Sequence, residues 1–303
     1  MQVDMSVNLL GLKLKNPVMP ASGCFGFGKE YSKYYDLNKL GAIVVKATTQ
    51  KARLGNPTPR VAEVTCGMLN SIGLANPGLD KVLSDELPWL KSYSLPVIVN
   101  VAGETVEEYC SVVDRISRSK LAHAIELNVS CPNVAQGGLS FGADSKVLSE
   151  LLKRVRGVCS LPLIVKLSPN VTDIVEIGLA AQEAGADAIS LINTLIGMKI
   201  DINTGRPVLA RKVGGLSGPA IKPVAIRMVY QLADVLKLPI IGIGGIYTAE
   251  DVIEFIMAGA SAVQIGTANF TNPMAMPDII DDLERYMKEK GIKDLDQIRG
   301  CAL

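Results

Sequence analysis

Apolar residues in this chain gather into short unbroken runs at 18–23, 42–47, 96–102, 124–129, 163–168, 188–193, 240–245 and 262–267, with longer mixed stretches between them. Runs that short and that continuous suit parallel strands covered by helices on both sides of a sheet. The stretches between are mostly long enough for helices and carry their start and stop signals. Thr105 with Glu108 has capping-box spacing, Asp173 with Glu176 and Thr248 with Asp251 repeat it more weakly, and Gly41, Gly185 and Gly259 stand where helices should close. Eight strand–helix units without a Pro/Gly/Ser-rich linker predict an α/β protein. The expected architecture is a single (β/α)8 TIM barrel over residues 1–303, with an N-terminal β-hairpin at 7–14 closing its bottom and active-site loops inserted at its top.

Composition narrows the class of function. With 303 residues, 48% of them hydrophobic and 20% charged, the chain can bury a large core, and a formal net charge of +1 offers no electrostatic case for nucleic acid or a membrane surface. Six cysteines, at 24, 66, 110, 131, 159 and 301, show no C-x-x-C spacing. That argues against a structural zinc or an iron–sulfur cluster on this chain, and for a reducing compartment. The sequence opens without a basic-then-apolar leader and contains no run of about eighteen apolar residues, so a cytoplasmic protein without a membrane anchor is expected.

In a barrel of this kind the C-terminal ends of the strands build the active site, and here they are polar in a consistent way. Ser22, Lys46, Asn100, Asn128 with Cys131, Lys166, Asn193 with Thr194, Gly244-Gly245 and Gly266-Thr267 all fall at such ends. The run Asn128-Val129-Ser130-Cys131-Pro132-Asn133 places a thiol among polar groups where Pro132 stops the strand. A thiol so placed is a candidate acid or base; the plainer alternative is a buried structural cysteine. Lys46 and Lys166 lie in apolar runs, where an unpaired ammonium is costly, so they meet an anionic ligand or snorkel to the strand end. The glycines after strands seven and eight, Gly244-Gly245 and Gly266, with Gly214-Gly215-Leu216-Ser217-Gly218 as a flexible segment upstream, offer side-chain-free N–H groups for a phosphate, or else form tight turns. No P-loop or G-x-G-x-x-G pattern accompanies them. His123 precedes its strand and reads as a packing residue.

Taken together, Pro20-Ala21-Ser22-Gly23, Val45-Lys46, Gly55-Asn56-Pro57-Thr58-Pro59-Arg60, the segment from Asn70 to Gly78, the Cys131 motif, Lys166-Leu167-Ser168-Pro169, Asn193-Thr194, Gly244-Gly245 and Ile265-Gly266-Thr267 resemble the dihydroorotate dehydrogenases over nearly the whole chain. Cys131 in place of a serine is similar to class 1. The segment Gly137-Gly138-Leu139-Ser140-Phe141-Gly142 resembles the NAD-linked class 1B catalytic subunit rather than the fumarate-linked class 1A.

That resemblance implies an FMN oxidoreductase of pyrimidine biosynthesis, in which Cys131 removes a proton from C5 of dihydroorotate while a hydride leaves C6 for flavin N5. It implies that Asn70, Asn128 and Asn193 hold the pyrimidine, that the backbone of Gly73 and Leu74 meets its carboxylate, that Ser71 and Ile72 also bind the substrate, and that Lys46 and Thr194 assist. Lys166 should face the flavin N1/C2 edge. Ser22, Lys46, Ala47, Asn100, Asn128, Ile192 and Gly218 should complete the isoalloxazine and ribityl contacts, and Gly244, Gly245, Gly266 and Thr267 the phosphate. Ala47 departs from the family pattern, which often has a hydroxyl there, so its contact must come from backbone, with Thr48 and Thr49 as candidate substitutes. The resemblance further implies a homodimer within a heterotetramer, whose second, electron-transfer subunit carries FAD and a [2Fe–2S] cluster. A dihydropyrimidine dehydrogenase, a class I aldolase using Lys46 or Lys166 as a Schiff base, and a non-catalytic flavin-storage protein remain open beside it.

Overall fold

The computed structural model of the chain describes residues 3–130 and 140–303. A hairpin comes first, β1 (Val7–Leu9) paired antiparallel with β2 (Leu12–Leu14), and its Val7, Leu9 and Leu14 are buried in the main core. The chain then enters the barrel with β3 (Val18–Pro20) and β4 (Ile43–Thr48), leaves it for β5 (Val61–Val64) and β6 (Gly67–Asn70), and returns with β7 (Val97–Val101), β8 (Ala124–Asn128), β9 (Leu163–Lys166) and β10 (Ala188–Leu191). A second excursion carries β11 (Leu195–Met198), β12 (Ile200–Asp201), β13 (Arg206–Pro207) and β14 (Val213–Ser217) before β15 (Ile240–Ile243) and β16 (Ala262–Ile265) complete the circle.

The eight barrel strands form one parallel sheet in the order β3-β16-β15-β10-β9-β8-β7-β4. Its two edges meet where Gly41 N, just before β4, donates to Val18 O at 2.9 Å. Every residue of β7, β9, β10, β15 and β16 is buried, as expected for strands packed inside by one another and outside by helices. Those helices present one apolar stripe each: Val106–Ser119 buries Tyr109, Val112, Val113 and Ile116, and Ser145–Arg156 buries Leu148, Leu151, Leu152 and Val155. The expected caps are in place. Thr105 accepts from Glu108 N, Asp173 from Val175 N, and Thr248 with Asp251 forms a complete capping box.

All eight expected strands are present, but most end a residue or two early. The residues beyond them leave the extended region: Gly23, Gly244 and Gly245 have φ of 89, 126 and 74°. The polar residues singled out after those strands therefore sit in loops above the sheet, with Asn193 still tied to it through its N–H, which donates to Leu167 O at 3.0 Å. β4 instead runs on to Thr48 with a register shift between Val45 and Thr48 that re-aims Lys46 and Ala47.

The largest departure from expectation is a four-stranded antiparallel sheet, β11-β14-β6-β5, standing over the barrel mouth. Gly214-Gly215-Leu216-Ser217, expected to be flexible, lies in its strand β14. Its glycines serve close approach, because a Cβ at Gly214 would lie 2.6 Å from Asn70 O and one at Gly215 2.0 Å from Thr194 Oγ1.

Candidate active site

A cavity of about 1580 Å³ opens between the C-terminal ends of the barrel strands and the antiparallel sheet above them. It is lined by the expected Ser22, Lys46, Ala47, Asn128, Lys166, Ile192, Asn193 and Thr194 from the barrel side. Asn70, Ser71, Ile72, Gly73, Leu74 and Gly218 face it from the inserted sheet and its loops. Gly244, Gly245, Gly266 and Thr267 close one end. Cys131 lies outside the described residues. Its flanks do not: Ser130 lines the cavity, and Ser140 Oγ and Gly142 N donate to Val129 O at 2.7 and 2.8 Å.

One wall is a set of carboxamides. Asn193 Nδ2 donates to Asn128 Oδ1 at 3.2 Å and to Ser130 Oγ at 3.0 Å, while Asn193 Oδ1 accepts from Thr194 N at 2.8 Å. Tyr109, buried under β8, donates its hydroxyl to Asn128 O at 2.6 Å and so fixes the end of that strand. Asn70, opposite, donates to Gly215 O at 3.2 Å. Such amides offer both donors and acceptors, so a planar ring with imide N–H and carbonyl groups can replace their mutual bonds like for like. The loop after Asn70 is held from behind: Asn56 Nδ2 donates to Ser71 O and Oγ at 3.0 and 3.1 Å, and Asn76 Nδ2 donates to Leu74 O at 2.7 Å. Gly73 has φ 72°, and a Cβ there would meet Asn56 at 2.7 Å. Neither Asn56 nor Asn76 was expected; Asn56 reaches Ser71 fifteen residues on, and Asn76 also donates to Thr49 Oγ1 at 2.7 Å, pairings that no local pattern announces.

Lys166 forms part of the floor. It is 5% exposed, donates to Ser22 Oγ at 3.2 Å, and lies 3.9 Å from Glu126 Oε1. Glu126 is fully buried and was not anticipated, although a carboxylate inside the apolar run Ala124-Ile125-Glu126-Leu127 is a signal in itself. Asn100, expected against a ligand, does not line the cavity; it is buried one layer deeper, where its Nδ2 donates to Glu126 Oε1 at 2.6 Å.

Cys24 also lines the cavity without having been expected. Burial pushes its thiol above the ordinary range, against the lowering fields of Lys166 and Lys46. Thr48 and Thr49 do not stand in for a hydroxyl at Ala47. Both are buried, and Thr49 Oγ1 donates to Lys51 O at 2.6 Å. Ile192 N is engaged by Ile243 O at 2.9 Å, which leaves its carbonyl as the polar group for a ligand. His123 accepts from Val97 N at 3.0 Å through Nδ1 and stands before β8, away from the cavity.

The opposite end of the cavity is built of backbone. Gly218, Gly244 and Gly245 have φ of 107, 126 and 74°, and a Cβ on Gly245 would fall 2.6 Å from Lys222 Cβ and 3.0 Å from Gly218 O. The loop after β15 is braced by Asp251, whose carboxylate accepts from Tyr247 N at 2.8 Å, Thr248 N at 3.0 Å and Lys222 Nζ at 2.6 Å. Thr267 Oγ1 donates to Ser217 Oγ at 2.8 Å and ties the barrel end to the inserted sheet. A pocket with carboxamides at one side, a buried ammonium beneath and a side-chain-free cradle at the end suits a flat heterocycle joined to an anionic tail.

Comparison with known proteins agrees with that reading. The dihydroorotate dehydrogenase family model matches residues 4–287. The chain is 58% identical over 296 residues to a protein of Geobacillus kaustophilus named dihydroorotate dehydrogenase B (NAD(+)), catalytic subunit, covering 98% of this chain and 95% of that one. Proteins of the same name from Anoxybacillus flavithermus and Bacillus caldolyticus are 59% and 57% identical over the same length and with the same coverage. With a family model along most of its length and relatives more than half identical across nearly all of it, the chain belongs to the dihydroorotate dehydrogenase family.

Proposed function

We propose that this chain oxidises (S)-dihydroorotate to orotate in de novo pyrimidine biosynthesis, as the catalytic subunit of an NAD-linked enzyme with FMN as its resident cofactor. The observation that carries the reading is the convergence of Asn70, Asn128, Asn193, Lys46 and Lys166 on one cavity that ends in a glycine cradle. Names of the relatives support the NAD linkage and a separate partner subunit.

The residues present fit FMN. Gly218, Gly244 and Gly245 form loops with no side chain to obstruct a phosphate, and Lys166 offers a buried ammonium to a ring that gains negative charge. In this reading Gly244, Gly245, Gly266 and Thr267 hold the phosphate, Ser22, Ala47, Ile192 and Gly218 the ring and ribityl chain, and Lys166 its electron-rich edge. Bound FMN supplies the acceptor for the hydride that leaves substrate C6.

The remaining steps belong to the chain. Asn70, Asn128 and Asn193 orient the dihydropyrimidine by its imide and carbonyl groups, and the Ser71–Leu74 loop, clamped by Asn56, receives its carboxylate beside Lys46. Thr194 flanks the ring. Cys131, as thiolate, takes the C5 proton. The Schiff-base alternative is disfavoured for Lys166, whose Nζ is already engaged by Ser22 Oγ at 3.2 Å and stands 3.9 Å from Glu126 Oε1. Among the described residues, no helix is long and apolar enough to cross a membrane. We place the enzyme in the cytoplasm as a homodimer of this chain within a heterotetramer, its partner carrying FAD and [2Fe–2S].

Steady-state turnover with an artificial electron acceptor tests the substrate. Dihydroorotate should be oxidised, and dihydrouracil, which lacks the carboxylate, should not. Comparable rates with both would point to a dihydropyrimidine dehydrogenase, and no turnover with either would refute the proposal.

A further inference from the structure

Beneath the cavity floor the barrel interior is not filled by apolar side chains alone. Glu126 of β8 is fully buried, and its carboxylate is the centre of a layer drawn from several strands. Asn100 of β7 donates to Oε1 at 2.6 Å, while Ser190 of β10 and Gln264 of β16 donate to Oε2 at 2.9 and 2.5 Å. Lys166 of β9 stands 3.9 Å from Oε1. Asn100 and Gln264 both turn their NH2 groups to Glu126 and leave their own oxygens, Oδ1 and Oε1, buried without a partner.

That orientation has a cost, since each orphaned acceptor loses its solvation without gaining a partner. A neutral carboxylic acid would relieve it, because its O–H needs an acceptor and either amide could turn to provide one. Asn100, Ser190 and Gln264 all turn donors toward Glu126, and a carboxylate, an acceptor at both oxygens, can take every one of them. Barrel strands fix all of these groups, so the charge cannot move. Among the described residues, the ion pair of Glu126 is with Lys166, which donates to Ser22 Oγ and, like Lys46, lowers the Cys24 thiol through its field.

We infer that Glu126 is a positioning residue for the redox chemistry: its carboxylate, locked by Asn100, Ser190 and Gln264, aims the Lys166 ammonium at the cavity and offsets part of its positive charge. Lys166 then stabilises negative charge in the cavity by less than an uncompensated ammonium would. The layer sets the reduction potential of whatever acceptor lies above it, and does so without touching that acceptor. This rests on the reading of the cavity as a flavin site.

Glu126→Gln is the informative variant, because it removes the charge at constant shape, and Asn100 or Gln264 can turn its orphaned oxygen to accept from the new NH2. In the flavin-loaded protein, the ratio of affinities for reduced over oxidised FMN should rise at least about tenfold. For a two-electron couple that is a positive shift of about 30 mV in midpoint potential. Glu126→Asp, which keeps the charge, should stay closer to the wild-type potential than Glu126→Gln does. An unchanged or more negative potential in Glu126→Gln overturns the inference. The unsubstituted chain gives a reading that depends neither on the variant nor on the cofactor: with Glu126 labelled at its carboxyl carbon, difference infrared spectroscopy at neutral pH should find a carboxylate, and a protonated carboxyl overturns the inference. Wild-type protein unable to bind FMN would refute the cofactor assignment instead, so the two failures are distinguishable.

Discussion

Replacing Gly245 with alanine should cost the protein more than the same change at Gly205, and the difference measures how tightly the phosphate cradle is built. Both glycines have positive φ, 74° and 69°, so each alanine meets a backbone penalty of about 1–2 kcal/mol. At Gly205 nothing lies within 4 Å of the new Cβ, and the penalty ends there. At Gly245 the Cβ would stand 2.6 Å from Lys222 Cβ, 2.9 Å from Lys222 N and 3.0 Å from Gly218 O. Two of those contacts are backbone, so the helix Lys222–Val235 or the Gly218 turn must shift, adding about 1–3 kcal/mol of overpacking. Urea unfolding of the flavin-free variants should place Gly205→Ala about 1–2 kcal/mol below wild type and Gly245→Ala about 2–5 kcal/mol below. Because Gly218 and Gly245 face the same end of the cavity, FMN affinity, followed by flavin fluorescence, should also be weakened at least about tenfold in Gly245→Ala alone, equivalent to about 1.4 kcal/mol. Equal stability losses, or unaltered FMN affinity in Gly245→Ala, would refute the cradle as described.

Three further outcomes are expected. Lys166→Ala should lower the flavin potential and weaken FMN retention, since a buried ammonium is lost from beneath the ring; full occupancy at the wild-type potential in a spectroelectrochemical titration would place Lys166 outside the flavin site. Asp251 is pushed up by burial but pulled further down by Lys222 and the Tyr247 and Thr248 N–H groups, so its carboxyl titrates below the usual carboxylate range. A depressed folded pKa means stability that is complete above the unfolded value, about 4, and is lost as pH falls through the folded one; acid-unfolding curves should show a shallower loss below pH ~4 in Asp251→Asn, and identical slopes would contradict the role of Asp251. The purified chain should reduce artificial acceptors but reduce NAD⁺ negligibly until co-expressed with an FAD and [2Fe–2S] subunit, and efficient NAD⁺ reduction by the chain alone would contradict the proposed division of labour.

The barrel was legible because its strands are short apolar runs separated by capped helices, a pattern that needs no long-range information. Their polar ends were legible for the same reason, and all but Asn100 of the expected site residues within the described chain line one cavity. A strand-end asparagine looks alike whether it faces a ligand or a buried carboxylate, and the bond of Asn100 to Glu126 is not readable locally, because Glu126 sits on the neighbouring strand at a register that only the folded sheet defines. The inserted sheet escaped notice because β6 pairs with β14 across Gly215↔Asn70, far apart in sequence, and because glycines that permit close approach read locally as flexibility. Asn56 and Asn76 act behind the ligand-facing loop, where a carboxamide carries no chemical signature of its own.

The central claim is that dihydroorotate delivers its electrons to a flavin on this chain with Cys131 as the base, and anaerobic stopped-flow mixing of the purified protein with dihydroorotate tests it most directly. Wild-type protein should show a flavin absorption band that bleaches on mixing. Cys131→Ala should keep the band but bleach at least about a hundredfold more slowly, the scale of a removed general base, and Cys131→Ser should retain partial activity with its pH optimum moved upward. A wild-type band that dihydroorotate leaves unbleached, or equal bleaching rates in wild type and both variants, would contradict the account.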